Sequence, residues 1–221
     1  MSESATVVAT LDPLDLAALL CSRVCHDLIS PVGAVVNGME VLEDTSDEST
    51  KVFALDLIKK SANQASARLQ FCRLAFGAAG SAGASIDLGD AESVARGFIE
   101  DDKIKLGWNF TRILLPKNRV KLLLNMLLLT SQMIPRGGTL DAEPIGDGDT
   151  MGFRLTATGP HARFQPATPH LVTGEVGEHP VDAHGIQPFY TGLLARASDL
   201  KVGIAQDGDT VTVTAQPIAS A

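Results

Sequence analysis

The chain has 221 residues, a hydrophobic fraction of 45% and a formal net charge of −8 at pH 7. That length holds one or two folded domains with a substantial core, and the acidic balance excludes direct binding to nucleic acid, which needs a basic face against phosphate. No run of about 18 uninterrupted apolar residues and no signal-peptide pattern appears, so a cytoplasmic protein that does not enter a membrane is expected; three cysteines without paired spacing argue against a disulfide framework.

The first periodic segment predicts a helix over residues 15–42. At about 100° per residue, Ala17, Cys21, Val24, Leu28, Pro31, Val35, Met39 and Leu42 fall on one apolar stripe. His26 lies on the other side, with Leu19, Ser22, Arg23, Ile29, Ser30, Gly33 and Asn37 within roughly 60° of it. An outward imidazole among small and polar neighbours, in the run Cys25-His26-Asp27-Leu28-Ile29-Ser30-Pro31, reads as a histidine that accepts phosphate; the alternative is a solvated surface side chain. Phosphoryl transfer asks mainly for alignment and charge neutralisation. Asp27 can accept the Nδ1 proton and leave Nε2 free, although adjacent helix positions do not face each other, and an ordinary surface acid stays open. Arg23 would meet phosphoryl oxygens or an acidic partner, or be a solvated charge. Ser30 would help position the group, and the bare Gly33 would admit a partner helix. Pro31 removes one intrahelical hydrogen bond and should bend the helix.

A second helix is predicted over 47–76, where Leu55, Ile58, Ala62, Ala65, Leu69, Cys72 and Phe76 alternate three and four apart. The polar link at 43–47 is short, so the helices fold back as an antiparallel hairpin, with Ser46 or Asp47 as the second helix's cap. Two helices cannot enclose a core. A homodimer forming a four-helix bundle is therefore expected, the alternative being that the hairpin packs on the rest of its own chain.

The small-residue stretch 77–84 reads as a linker between a hairpin domain over 1–77 and a second domain over 85–221. Beyond it a short strand at 86–88, a helix at 90–100, a strand at 105–110 and a strongly apolar helix at 118–134 are expected. Strands at 139–142 and 152–157 follow, then a loop-like segment carrying His161, His170, His179 and His184, and a helix at 186–200. A closing hairpin has arms 201–205 and 210–214 around Asp207-Gly208. The fold class is α+β, with a two-layer α/β sandwich after the helical hairpin. Trp108, Phe110 and residues 122–129 are core candidates; Phe189, Tyr190 and Leu194 are either core or a partner patch.

His26-Asp27-Leu28 with Pro31 resembles the H-box of the dimerisation and phosphoacceptor domain of bacterial sensor histidine kinases, and the element order after the linker is similar to their ATP-binding domain. The combination resembles the ChpT family of histidine phosphotransferases. The resemblance implies that His26 and Asp27 are catalytic, that the partners are the receiver domain of a hybrid histidine kinase and response regulators, and that Leu19, Ser22, Arg23, Ile29, Ser30, Gly33 and Asn37 form the docking face. It implies no cofactor on this chain, Mg2+ being supplied by the receiver. Departures from the kinase pattern point the same way: Asn125 matches the first nucleotide-site asparagine but Leu129 stands at the second position. Ala157 precedes Thr158-Gly159 in place of the adenine-reading aspartate, and only Gly185 remains of the glycine-rich lid. A kinase-like fold without ATP is expected. The rival readings are an ATP-dependent sensor histidine kinase, a non-catalytic dimeric scaffold, and a zinc site on Cys21, Cys25 and Cys72, which are instead expected to serve as small hydrophobes.

Overall fold

A computed structural model describes residues 10–77, 84–148, 151–175 and 181–218. Helix α1 (Pro13–Asp44) and helix α2 (Glu48–Ala75) form the predicted antiparallel hairpin. Each begins at an aspartate. Asp12 accepts from Leu14 N–H, with Pro13 in the first turn where a missing N–H costs nothing. Asp47 accepts from the Thr50 N–H and from the Ser49 and Thr50 hydroxyls, which hold its carboxyl down at about 2. The helices approach closely at buried Gly38, where a Cβ would stand 2.7 Å from Ile58 Cγ1.

The stripe read on α1 needs correction. Pro31 is buried and Val24, Leu28, Val35 and Leu42 are half-buried, but Ala17, Cys21 and Met39 are exposed. The helix carries two apolar arcs. One, through Leu20, Val24, Asp27, Pro31 and Gly38, meets α2; a second, about 120° away by helical geometry, runs through Leu14, Ala18, Cys21, Cys25, Val32, Val36 and Met39 and lies open. The predicted stripe lay between them. The seam on α2 divides likewise: Cys72 is buried, whereas Leu55, Ala62 and Leu69 are exposed. By length and composition α1 is also apolar enough to cross a membrane, although polar residues interrupt its apolar runs. Its polar arc of Ser22, His26, Ser30 and Asn37 would be stranded in lipid.

In the second half, β1 (Ser85–Asp87) pairs antiparallel with β3 (Leu114–Pro116) as a small separate sheet. Helix α3 (Leu88–Ile99) leads to β2 (Ile104–Trp108), and α4 (Lys117–Ser131) to β4 (Gly138–Ile145) and β5 (Gly152–Thr158). After α5 (Thr168–Thr173) and α6 (Ile186–Arg196), β6 (Leu200–Asp207) and β7 (Thr210–Pro217) close the predicted hairpin. The main sheet has the order β2-β4-β5-β7-β6, with β2 parallel to β4 and the other pairs antiparallel. Phe153, Leu155 and Ala157 of β5 and Val211, Val213 and Ala215 of β7 point alternately into the core. Helices α3, α4, α5 and α6 pack against the sheet, which gives the two-layer sandwich.

Two short elements depart from the expected order. β3 is too brief to show alternation, and α5 falls within the segment expected as loop, so that His170 is helical. It ends on Gly174 at φ +82°, a turn that suits glycine. His161 and His184 are in loops, while His179 and most of the expected linker, 78–83, lie outside the described residues. Phe189 and Leu194 are core, whereas half-buried Tyr190 rests on Phe76. The hairpin is not separate from its own chain: Phe71 and Ala75 of α2 are buried in the same core as Leu88, Leu122 and Phe153, and Phe71 stacks on Phe98 at 4.2 Å.

Candidate functional site

Two turns of α1 and one residue of α2 build the site. The His26 side chain is 83% exposed, and its Nδ1 stands 3.5 Å from Asp27 Oδ1. The rotamer that adjacent helix positions require is adopted, at the outer limit of a hydrogen bond. Asp27 is no surface acid, since its side chain is only 10% exposed. Its other oxygen faces Arg23 Nε at 3.3 Å, an ion pair not aligned as a hydrogen bond. Arg23 is correspondingly turned inward, with 16% of its side chain exposed. It is neither the solvated charge of one expectation nor aimed outward for the other: it lies between the His26 arc and the seam, and Asp27 draws it toward the seam.

The remaining candidates keep the open face. Ser22, Ile29, Ser30 and Asn37 are exposed, Leu19 is half-buried, and nothing stands within 4 Å of the space a side chain at Gly33 would fill. The face is continuous and has small residues on both sides of the histidine, so that a partner can reach Nε2.

Sequence reasoning missed Arg68. Pro31 has no N–H, so the carbonyl four residues earlier, that of Asp27, loses its helical partner. Arg68 Nη1 on α2 donates to that oxygen. The proline was the available signal; which residue would answer it, 41 positions away, was not readable locally. Cys72 lies beside this group. Burial pushes its thiol up to about 11, the Asp27 carboxylate adds to the rise, and Arg23 and Arg68 oppose it. Cys21 and Cys25 are exposed, so only Cys72 among the three is the buried small hydrophobe expected. No group of three or more His, Cys, Asp or Glu able to hold a metal occurs among the described residues.

The residues at the kinase nucleotide positions do not fit a nucleotide. Asn125 is fully buried; its amide donates to the carbonyls of Ala75 and Lys121 at 3.0 and 2.8 Å, and its Oδ1 accepts from Gln187 Nε2 at 3.0 Å. Every hydrogen-bonding atom of that side chain is engaged within the protein. Leu129 is buried beside a cleft of about 350 Å³ lined also by Met133, Arg163, Phe164, His184 and Pro188, with no carboxylate among the described residues of its wall. Ala157 is sealed in β5 between Leu140 and Val211. At the start of α6, Asp182 Oδ1 accepts from the N–H groups of His184 and Gly185 at 2.9 and 2.7 Å. Those bonds, Gly185's first, hold the Asp182 carboxyl below its ordinary range, and the protein's own carboxylate thus occupies amides that an anionic ligand would need.

Comparison with known proteins covers most of the chain. A model of the histidine phosphotransferase C-terminal domain matches residues 88–210. The protein phosphotransferase ChpT of Brucella abortus (strain 2308) is 49% identical over 207 residues, covering 94% of this chain and 98% of that protein. A solved structure of a bacterial phosphotransferase superposes with a TM-score of 0.86 at 46% identity, over 95% of this chain and all of that one.

Proposed function

Since the chain belongs to the ChpT-type histidine phosphotransferases and is a phosphotransferase, we propose that His26 is the residue that carries the phosphoryl group. It takes the group from an aspartyl phosphate on the receiver domain of a hybrid histidine kinase and passes it to an aspartate of a response regulator. Nε2 attacks phosphorus as the bond to the donor carboxylate breaks, and the carboxylate leaves with the electron pair. Asp27 shares the Nδ1 proton and opposes the positive charge that develops on the ring. Mg2+ comes with the receiver's acidic pocket. Leu19, Ser22, Ile29, Ser30, Gly33 and Asn37 form the docking face, and Arg23 serves from behind it by balancing Asp27. The observation that carries the reading is an imidazole 83% exposed with its Nδ1 turned to a shielded carboxylate.

A homodimer belongs to the same proposal. The open arc of α1 and exposed Val52, Leu55 and Leu69 of α2 match the seam a second copy would cover in a four-helix bundle. By helical geometry His26 stands about 100° around α1 from that arc, clear of the contact. A cytoplasmic site of action follows from the partners.

Incubation with a phosphorylated receiver is expected to place acid-labile, base-stable label on His26, and His26→Ala to remove it. Label acquired from ATP alone, without a receiver, would establish the kinase reading instead. A His26→Ala protein that still relayed the signal would establish the scaffold.

A further inference from the structure

The buried side of the site holds an arginine with no role in the chemistry described so far. Arg68 is half-buried in the hairpin seam, so it does not stand on the docking face. Its guanidinium reaches across to the one α1 carbonyl that Pro31 deprives of a helical donor, and that carbonyl belongs to the residue whose carboxylate faces His26. Asp27 is therefore held at three points: its backbone oxygen by Arg68, Oδ2 by Arg23 and Oδ1 by the imidazole. Without Arg68 that carbonyl would have no donor, and the peptide after Asp27 would be free to tilt at the proline kink. At a separation of 3.5 Å the Asp27–His26 contact has no slack for such a tilt.

We propose that Arg68 is a positioning residue for phosphoryl transfer: it replaces the hydrogen bond that Pro31 removes, and so keeps the Asp27 carboxylate on Nδ1 and Nε2 toward the incoming phosphoryl group. The proposal rests on His26 being the phosphoacceptor. Balance is simple, because Arg68 exchanges no proton. The Nε2–phosphorus bond forms, the donor's phosphorus–oxygen bond breaks, and the Nδ1 proton stays on the ring, shared with Asp27.

The test charges His26 with phosphoramidate and follows discharge to a purified receiver domain that the wild-type chain phosphorylates, over a range of receiver concentrations. Ring nitrogen shifts of His26, read by NMR in the uncharged protein, report its tautomer. Arg68→Met is expected to lower the maximal rates about tenfold with the half-saturating receiver concentration unchanged, and to shift His26 away from the Nδ1-protonated tautomer. Adding Pro31→Ala supplies an N–H at residue 31, and is expected to return rate and tautomer toward wild type.

Wild-type rate and tautomer in Arg68→Met overturn the proposal. So does a raised half-saturation at unchanged maximal rate, which would mean that Arg68 touches the receiver, and so does a loss that Pro31→Ala fails to recover. Should Arg68→Met not fold, the double variant decides alone: transfer supports the role, and a double variant that is inactive or unfolded overturns it. A wild-type chain that takes no label on His26 sinks the phosphoacceptor reading itself, while the tautomer comparison still judges Arg68.

Discussion

In the hairpin, the polar side chain that matters stands in solvent with one nitrogen uncommitted, whereas in the α/β domain Asn125 is fully buried and all its hydrogen-bonding atoms are engaged. Apolar side chains are distributed the other way. α4 hides nearly everything from Val120 to Leu129, while α1 leaves Val32, Val36 and Met39 in water. The difference teaches how one chain assigns two jobs. A polar group is available for chemistry only while its bonding capacity is unspent, and an apolar face is available for assembly only while it is uncovered. The sheet domain has spent most of both on its own stability, whereas the hairpin leaves its imidazole and an apolar arc exposed.

The sharpest way to break this contrast is to charge the open arc. Val36→Asp is expected to dissociate the proposed dimer, since losing the burial of the exposed half of one valine in each of two copies costs about 1.5–3 kcal/mol, or at least about one order of magnitude in Kd, before the cost of desolvating the new carboxylates. Sedimentation shows the mass, and unchanged helicity by circular dichroism shows that the chain itself is intact; a variant that stays dimeric means that the arc is not the contact.

Phe71→Ala attacks the junction from the other side. Removing a fully buried phenyl that stacks on Phe98 should cost about 3–5 kcal/mol. It should also split thermal unfolding into separate transitions for hairpin and sheet domain, visible by calorimetry. A single transition would mean that the two halves are coupled elsewhere.

Asn125→Ala should cost about 1–3 kcal/mol in denaturant unfolding, because the Ala75 carbonyl loses its side-chain donor and the Gln187 amide loses its side-chain acceptor. No loss of stability would mean that this asparagine is idle and not a strut. The effect confined to the narrowest conditions, alkaline pH, lies at Cys72. Its folded thiol titrates near 11 against an ordinary 9.0, so its contribution is fully present below pH 9 and is lost as pH rises toward 11. Unfolding midpoints should fall across that window in the wild type, and Cys72→Val should flatten that part of the fall.

Much of the hairpin was legible because long helices repeat their pattern many times: both spans, the turn, the Asp47 cap and the outward His26 come from periodicity and spacing. The apolar stripe was displaced because a wheel averages over directions; two contact surfaces on one cylinder merge into a single stripe between them. In the sheet domain the strands and α4 were readable, but the six-residue α5 and three-residue β3 are too short to show a period. At the site, Asp27 and Arg23 were found but their inward turn was not, since it depends on rotamers and on α2. Asn125 carried a signal of its own, an amide among leucines, which implies buried partners without naming Ala75 or Gln187.

The shared core at Phe71 and Ala75 bears on how this protein can be taken apart. A stand-alone hairpin cut after residue 77 would bring an aromatic ring and the released Ala75 carbonyl into water, and would fray or clump at the very end of α2. Grafting the hairpin onto another scaffold therefore requires either carrying α3 and α4 along or repainting that last turn with polar side chains.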